Sequence, residues 1–260
     1  MSLLPREHGA YGQMAVPLVT SIAVAGLNTA SLLIGLAEVA GFLAHEPLLV
    51  LLGRRGVRAR REEGAHAAWW FGASAATMAA AGAGALWLVP PGVRWSLLLP
   101  ILPALVLGAA VSAKEEKSTR GELAAALAFS LAAVPLCMAA GATVSTALAV
   151  GITFASVFVA DTLAVRSIVL AVRGGGDPRA ARSARIAALV VAAAAAVALA
   201  GAGLRALLPW GAFGAAAPGL AVAVWLAFSP PRPSQLRKVG WALVAASVAA
   251  ALVLIAGLRR

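Results

Sequence analysis

The sequence is poor in charge, in acidic side chains and in cysteine. Only 12% of its residues are charged and 62% are hydrophobic, whereas about a quarter of an ordinary soluble domain is charged. It has 21 basic residues against 10 acidic ones, and its one cysteine, Cys137, can form no internal disulfide. The low fraction of charged residues excludes an ordinary soluble domain, and the single cysteine excludes a domain held together by internal disulfides. Together these scarcities indicate an integral membrane protein.

Several motifs that carry chemistry are also missing. The sequence contains no zinc-ligand spacing, no nucleophile elbow, no Walker loop and no dinucleotide fingerprint. Its net charge of +11 would suggest nucleic-acid binding in a soluble protein, but here the basic residues fall in short loops between apolar runs. No basic face with interleaved aromatic residues remains, so we expect no nucleic-acid partner.

Nine apolar runs organise the chain, and most of them reach the roughly 17–25 residues that cross a bilayer as a helix. We therefore predict an all-α fold: a polytopic membrane bundle of about nine transmembrane helices, forming a single transmembrane domain over residues 1–260. The runs are 10–27, 30–53, 67–89, 95–113, 122–141, 144–172, 182–203, 212–228 and 239–257.

The basic residues orient this bundle. Sixteen Lys and Arg residues fall on the side of the N-terminus and four on the opposite side. Because positive loops stay in the cytoplasm, the count predicts a protein of the cell (inner) membrane with its N-terminus in the cytoplasm and its C-terminus outside. The sixteen are Arg6, Arg54, Arg55, Arg58, Arg60, Arg61, Lys114, Lys117, Arg120, Arg173, Arg179, Arg182, Arg185, Arg232, Arg237 and Lys238, and the four are Arg94, Arg205, Arg259 and Arg260.

The second run carries most of the polar side chains that lie at membrane depth. It contains Glu38, His45 and Glu46, and it ends in a loop with five arginines between residues 54 and 61. An ionisable group at membrane depth is expensive and normally faces a protein interior or a water-filled cavity. Glu38 and His45 are seven residues apart, so a helix places them nearly on one face, with Glu46 beside it. The stretch predicts a buried polar site near one membrane surface.

Further candidate residues belong to the same half of the bundle. Glu7 and His8 open the first run, although a solvated helix start explains them equally well. The loop 114–122 is dense in charge of both signs, and most such loops are merely solvated. The sixth run carries Asp161 and Arg166 inside the membrane. The candidate substrate-binding residues are Glu7, His8, Glu38, His45, Glu46, Arg54, Arg55, Glu116, Arg120, Asp161 and Arg166.

Two short motifs resemble a known family. The opening Pro5-Arg6-Glu7-His8-Gly9-Ala10, followed by Pro17 and later by His45-Glu46-Pro47, resembles the YwiC-like family of bacterial membrane proteins. This resemblance runs along most of the chain. It implies a multi-spanning membrane protein and points to no particular reaction.

The topology also resembles the UbiA superfamily of intramembrane prenyltransferases. Members of that superfamily have nine helices, a cytoplasmic N-terminus and functional loops after helices two, four and six. Aspartate-rich motifs at helices two and six hold Mg²⁺ and a prenyl diphosphate there. This sequence has only two aspartates, Asp161 and Asp177, and His45-Glu46-Pro47 stands where the first motif would be.

This departure changes the expected ligands. Mg²⁺ takes oxygen ligands from carboxylates and substrate phosphates, and Glu46 and Asp161 can offer one carboxylate each. Mg²⁺ is therefore possible, although the aspartate-rich motifs are absent and no cofactor is assigned. Arg54, Arg55 and Arg166 can instead hold an anionic headgroup directly.

Two classes of function stay open. The first is a UbiA-like cavity, open to the cytoplasmic side, that binds an isoprenoid, quinone-like or other amphipathic lipid; whether it is also a prenyltransferase-like enzyme is open. The alternative is a proton-linked transporter or membrane assembly factor in which Glu38, Glu46 and Asp161 relay protons. Haem ligation by His8 and His45 has less support, because no other ligand pattern accompanies them. The sequence assigns no oligomeric state.

Overall fold

The computed structural model describes residues 3–5, 8–115, 117–172, 178–231 and 235–259, without the side chains of His8 and Val172. Within these residues the chain forms nine α-helices and no β-strand, which confirms the predicted all-α fold. The predicted site residues Glu7 and Glu116 lie outside the described residues. The helices are α1 (His8–Ala25), α2 (Thr29–Leu51), α3 (Val57–Leu88), α4 (Leu98–Ser112), α5 (Thr119–Ala139), α6 (Val144–Val172), α7 (Pro178–Leu204), α8 (Trp210–Phe228) and α9 (Leu236–Leu258).

Apolar length identifies the chain as an integral membrane protein. Among the described residues, eight helices are long and apolar enough to cross a membrane, and α1 is a shorter apolar helix. This confirms the predicted polytopic helical bundle. The largest difference from the predicted boundaries is that α3 begins ten residues before its apolar run, at Val57. Arginine, glutamate and alanine favour helix, so the polar segment before the run extends α3 without adding to its hydropathy.

α6 is the central helix of the bundle. It packs against α1, α5, α7, α8 and α9. Its closest approaches depend on glycine: a Cβ at Gly219 of α8 would overlap Val157, and one at Gly151 of α6 would overlap Val134 of α5. Lipid tails are as apolar as these side chains, so close packing holds the helices together where exclusion from water cannot.

α1 and α2 are antiparallel and share α5 as a neighbour. Asn28, in the turn between them, caps α2, and its Nδ2 donates a hydrogen bond to the Ala139 carbonyl of α5 at 2.6 Å. Nearer the other end, the ring of Phe42 lies 4.8 Å from that of Tyr11 in α1 and 5.7 Å from that of Phe129 in α5. We call the side of the membrane reached by the ends of α2, α4, α6 and α8 the basic side.

α3 and α4 form the edge of the bundle. α3 packs against α2, and α4 packs against α5, while no comparable packing joins α3 to α4 in the part of the chain that the structure describes. Beside the main apolar core around α6, a second apolar cluster joins α2, α3 and α5 in the half of the bundle away from the basic side. Its buried members are Ala30, Ile34, Ala85, Val89, Leu136 and Ala139.

Candidate functional site

The candidate site starts from the polar face of α2. Gly35 faces α1, because a Cβ there would lie 3.1 Å from Leu18. Gly41 faces α3, because a Cβ there would lie 3.1 Å from the sulfur of Met78. A helix turns by about 100° per residue, so Glu38 lies midway between these two faces, about 60° from each.

His45 lies two turns beyond Glu38 on the same face, as the sequence predicts. The face of α2 that meets lipid is on the other side of the helix, where Leu32 is 53% exposed and Leu36 is 45% exposed. Glu38 and His45 therefore lie on the side of α2 that is turned towards its neighbouring helices. The sequence predicts that these two side chains face the protein interior, and the prediction rests on the same helical periodicity of 3.6 residues per turn.

Glu38 has a carboxyl oxygen without a hydrogen-bond partner. Its Oε1 is fully shielded from solvent, and no described residue donates to it. Glu38 lies 9 residues after the start of α2 and 13 before its end, or about 14 Å and about 20 Å along the axis. A buried polar atom that lacks a hydrogen bond costs free energy, so this oxygen marks a position where a ligand group can bind.

α3 and α4 flank a lateral gap at the edge of the bundle, because each packs against a different inner helix. We define the groove as the space between α3 and α4 in the basic half of the bundle, with α2 and α5 behind it. The second apolar cluster closes it on the opposite side, at Val89 and Leu136. Since α3 and α4 are mostly exposed and do not pack along one another, the groove opens towards lipid.

Arg54 closes the basic end of the groove. Its Nη2 donates hydrogen bonds to the carbonyls of Val111, at 3.3 Å, and Ser112, at 3.0 Å, in the last turn of α4. A cation is favourable there because the last carbonyls of a helix carry partial negative charge. The Nε of Arg54 is buried and has no described acceptor. Arg54 thus joins the loop after α2 to the end of α4. Its Nε–H remains available to donate a hydrogen bond to a ligand.

Glu46 and Arg55 form a buried ion pair beside the groove. Arg55 Nε donates to Glu46 Oε1 at 2.7 Å and Nη2 donates to Oε2 at 2.5 Å, a two-pronged arrangement. The Glu46 side chain is 1% exposed and that of Arg55 is 17% exposed. Because Glu46 lies in α2 and Arg55 in the loop that follows it, the pair fixes this loop against α2. The proposed ligand roles of both residues stay predictions.

Asp161 and Arg166 lie on the other side of α5. Arg166 Nη1 donates to the Lys117 carbonyl at 2.7 Å and to Glu122 Oε1 at 3.1 Å, so it ties α6 to the start of α5. Asp161 is 5% exposed, and its Oδ1 has no described partner. Arg120, in the first turn of α5, is exposed.

The suggested metal pair, Glu46 and Asp161, lies on helices that do not pack against one another in the described structure. Among the described residues, no three or more His, Cys, Asp or Glu side chains gather as metal ligands would. A Mg²⁺ site built on this pair stays a prediction.

One polar cluster was not predicted as a site. Trp70 Nε1 donates to His66 Nε2 at 2.7 Å, and His66 Nδ1 lies 3.6 Å from Glu63 Oε2 on the exposed surface of α3. The spacing of three and four residues on one helix was the available signal. The sequence did not reveal it because Glu63 and His66 lie before the predicted apolar run 67–89, in the segment that α3 adds at its start.

A family comparison decides what kind of protein carries this arrangement. The family model described as YwiC-like protein matches residues 4–137, just over half of the chain. The chain belongs to the YwiC-like family. This confirms the resemblance based on the residues from Pro5 to Ala10 and on His45-Glu46-Pro47.

The YwiC-like match contains the whole groove. It covers α1 to α4 and all but the last two residues of α5, including Glu38, His45 and Arg54. Asp161 and Arg166 lie beyond it. No curated protein and no solved structure matches the chain. The resemblance of this YwiC-like protein to the UbiA superfamily therefore stays a prediction.

Proposed function

We propose that this membrane protein binds an amphipathic lipid of the isoprenoid or quinone type in the groove between α3 and α4. The polar head of the lipid bonds to Glu38, and its apolar chain lies between the exposed faces of α3 and α4. Arg54 meets an acidic head, where there is one, at the basic end. Catalysis is not part of the proposal.

One observation carries this proposal: the buried Oε1 of Glu38, inside a helix that is long and apolar enough to cross the membrane, lacks a hydrogen-bond partner among the described residues. A carboxyl group at this depth is rare and costly, and its usual role is to contact a ligand, an ion or a proton pathway. The contacts of the arginines indicate which polar groups remain available to a ligand. Arg55 and Arg166 already bind protein carboxylates, whereas Glu38 Oε1 and Arg54 Nε are buried polar atoms without a hydrogen-bond partner among the described residues.

We expect Glu38→Leu to weaken lipid binding by about twofold to tenfold, because the variant loses a hydrogen bond to the lipid head that contributes about 0.5–1.5 kcal/mol. Binding of farnesol, farnesyl diphosphate and a decyl-quinone to the purified protein would be measured by microscale thermophoresis. Each probe would be tested in EDTA and in Mg²⁺. We expect at least one probe to bind in EDTA, since Arg54 can meet an anionic head without a metal.

The matched control is Glu62→Leu. Glu62 is an exposed glutamate on α3, paired with Arg58 and outside the groove, and we expect this variant to bind as the wild type does. Equal affinities for Glu38→Leu and the wild type would refute the Glu38 site. Strict dependence on Mg²⁺ would favour a prenyltransferase-like site over a metal-free one. If no probe binds, the proton-linked transporter becomes the better proposal, with Asp161 as its second buried carboxyl group.

We also propose the cell membrane as the location, with the basic side in the cytoplasm. The support is the sixteen-to-four distribution of basic residues. A green fluorescent protein fused after Gly64 should fluoresce, whereas one fused to the C-terminus should not. Alkaline phosphatase fused at the same two positions should give the reverse pattern. Fusions that report the same side at both positions would contradict nine crossings.

A further inference from the structure

α7 presents a second groove, remote from Glu38, at its end on the basic side. The groove has a volume of about 420 Å³. α7 packs against α6 and α8 and leaves the rest of its surface open, so this groove faces the surrounding bilayer. The residues that line it are Arg179, Arg182, Ser183, Ile186, Ala187 and Val190.

The lining changes from charged to apolar with depth. Ile186 and Val190 lie about 6 Å and about 12 Å deeper than Arg182 along the helix, within one leaflet of a hydrocarbon core about 30 Å thick. Ile186 is 51% exposed and Val190 is 60% exposed, and Val197, farther along the same face, is 73% exposed. The face therefore has a polar head region followed by an apolar track, which is the order of groups in a membrane lipid.

The charge of this face is of one sign. Three arginines fall in the first eight residues of α7, and the helix contains no acidic residue. Two other arginines of the basic side bind carboxylates: Arg55 binds Glu46 and Arg166 binds Glu122. Arg182 is exposed at the membrane surface, where a planar guanidinium suits the oxygens of a phosphate.

We propose that the groove on α7 binds an anionic phospholipid of the bilayer. The guanidinium of Arg182 and the hydroxyl of Ser183 hydrogen-bond to the phosphodiester, and one acyl chain lies along Ile186 and Val190. A zwitterionic lipid carries the same phosphate but adds a cationic amine, which the arginines repel. The groove therefore selects lipids of net negative charge, independently of the ligand at Glu38.

Native mass spectrometry of the delipidated full-length protein tests this proposal. Phosphatidylglycerol and phosphatidylcholine with identical acyl chains would be added separately, and the fraction of protein with bound lipid would be measured. We expect phosphatidylglycerol to bind better. Arg182→Gln should lower its affinity roughly tenfold, since a charge-assisted hydrogen bond is lost. Arg182→Lys, which keeps the charge, should retain part of the affinity.

Arg237→Gln is the matched control, because Arg237 is an exposed arginine near the start of α9 on the same side and does not line the groove. It should bind phosphatidylglycerol as the wild type does. Equal losses in the Arg182→Gln and Arg237→Gln proteins would mean that only general surface charge attracts the lipid, and would overturn the proposal. Equal binding of the two lipids by the wild type would do the same.

Discussion

Replacing Glu46 with glutamine should lower the free energy of unfolding by about 3 kcal/mol. The change leaves the Arg55 guanidinium, 17% exposed, without the carboxylate that binds it in two places. Removing one partner of a buried ion pair typically costs about 3–5 kcal/mol, and the partial exposure of Arg55 places the expected loss at the lower end. The apparent Tm in detergent should fall by roughly 6–12 °C, as measured by loss of the monodisperse peak after heating.

The ion pair between Arg58 and Glu62 provides the control. It joins the same two residue types, with Arg58 Nε 2.7 Å from Glu62 Oε1, but the two side chains are 89% and 57% exposed. Pairs exposed to solvent contribute about 0.2–1 kcal/mol, so Glu62→Gln should change the Tm by no more than a few degrees. A Glu46→Gln protein as stable as Glu62→Gln would show that the buried pair adds nothing to stability.

Replacing Gly219 with alanine should destabilise the bundle by about 2 kcal/mol. A Cβ at this position would overlap the side chain of Val157 where α8 crosses α6. Overfilling a packed contact typically costs about 1–3 kcal/mol, and the two helices must separate to admit the methyl group. The same thermal assay measures the loss. We expect Gly219→Ala combined with Val157→Ala to recover most of it, because the second change removes the overlapping methyl groups.

Gly214→Ala, on the same helix, separates packing from helix propensity. Its Cβ would lie 3.9 Å from Val253, an ordinary contact. Alanine is favoured over glycine in a helix by about 1 kcal/mol, so this variant should be as stable as the wild type or more so. If both alanine variants gain stability, the close approach of α6 and α8 does not depend on Gly219.

The sequence predicted the membrane bundle and the polar face of α2 because both depend on local pattern. A bilayer needs about 20 apolar residues per crossing, and helical periodicity places Glu38 and His45 on one face. The same reasoning placed the start of α3 too late. Hydropathy detects only the part of a helix that lies in lipid, and the polar segment from Val57 continues the helix beyond it.

The partners of the arginines were beyond the reach of the sequence. Arg54, Arg55 and Arg166 were all assigned to a ligand, because residue type and membrane side were the only information available. Their contacts depend on which helix ends meet: Arg54 reaches α4, and Arg166 reaches the start of α5. The order of helices around the bundle also follows from packing across the chain. α5, and not α2, is the main neighbour of α1, and α5 is also the main neighbour of α4.

The two ends of the groove are fastened by different forces. Away from the basic side, α2, α3 and α5 are held by packed apolar side chains around Val89 and Leu136, and these contacts resist separation along their whole length. On the basic side, α4 is held to the loop after α2 by the hydrogen bonds of one guanidinium, that of Arg54. Breaking such charged hydrogen bonds costs about 1.5–3 kcal/mol each, an amount that thermal fluctuation or an arriving acidic headgroup can supply. We therefore expect any widening of this edge to start at its charged end, because the apolar end has no comparably weak point.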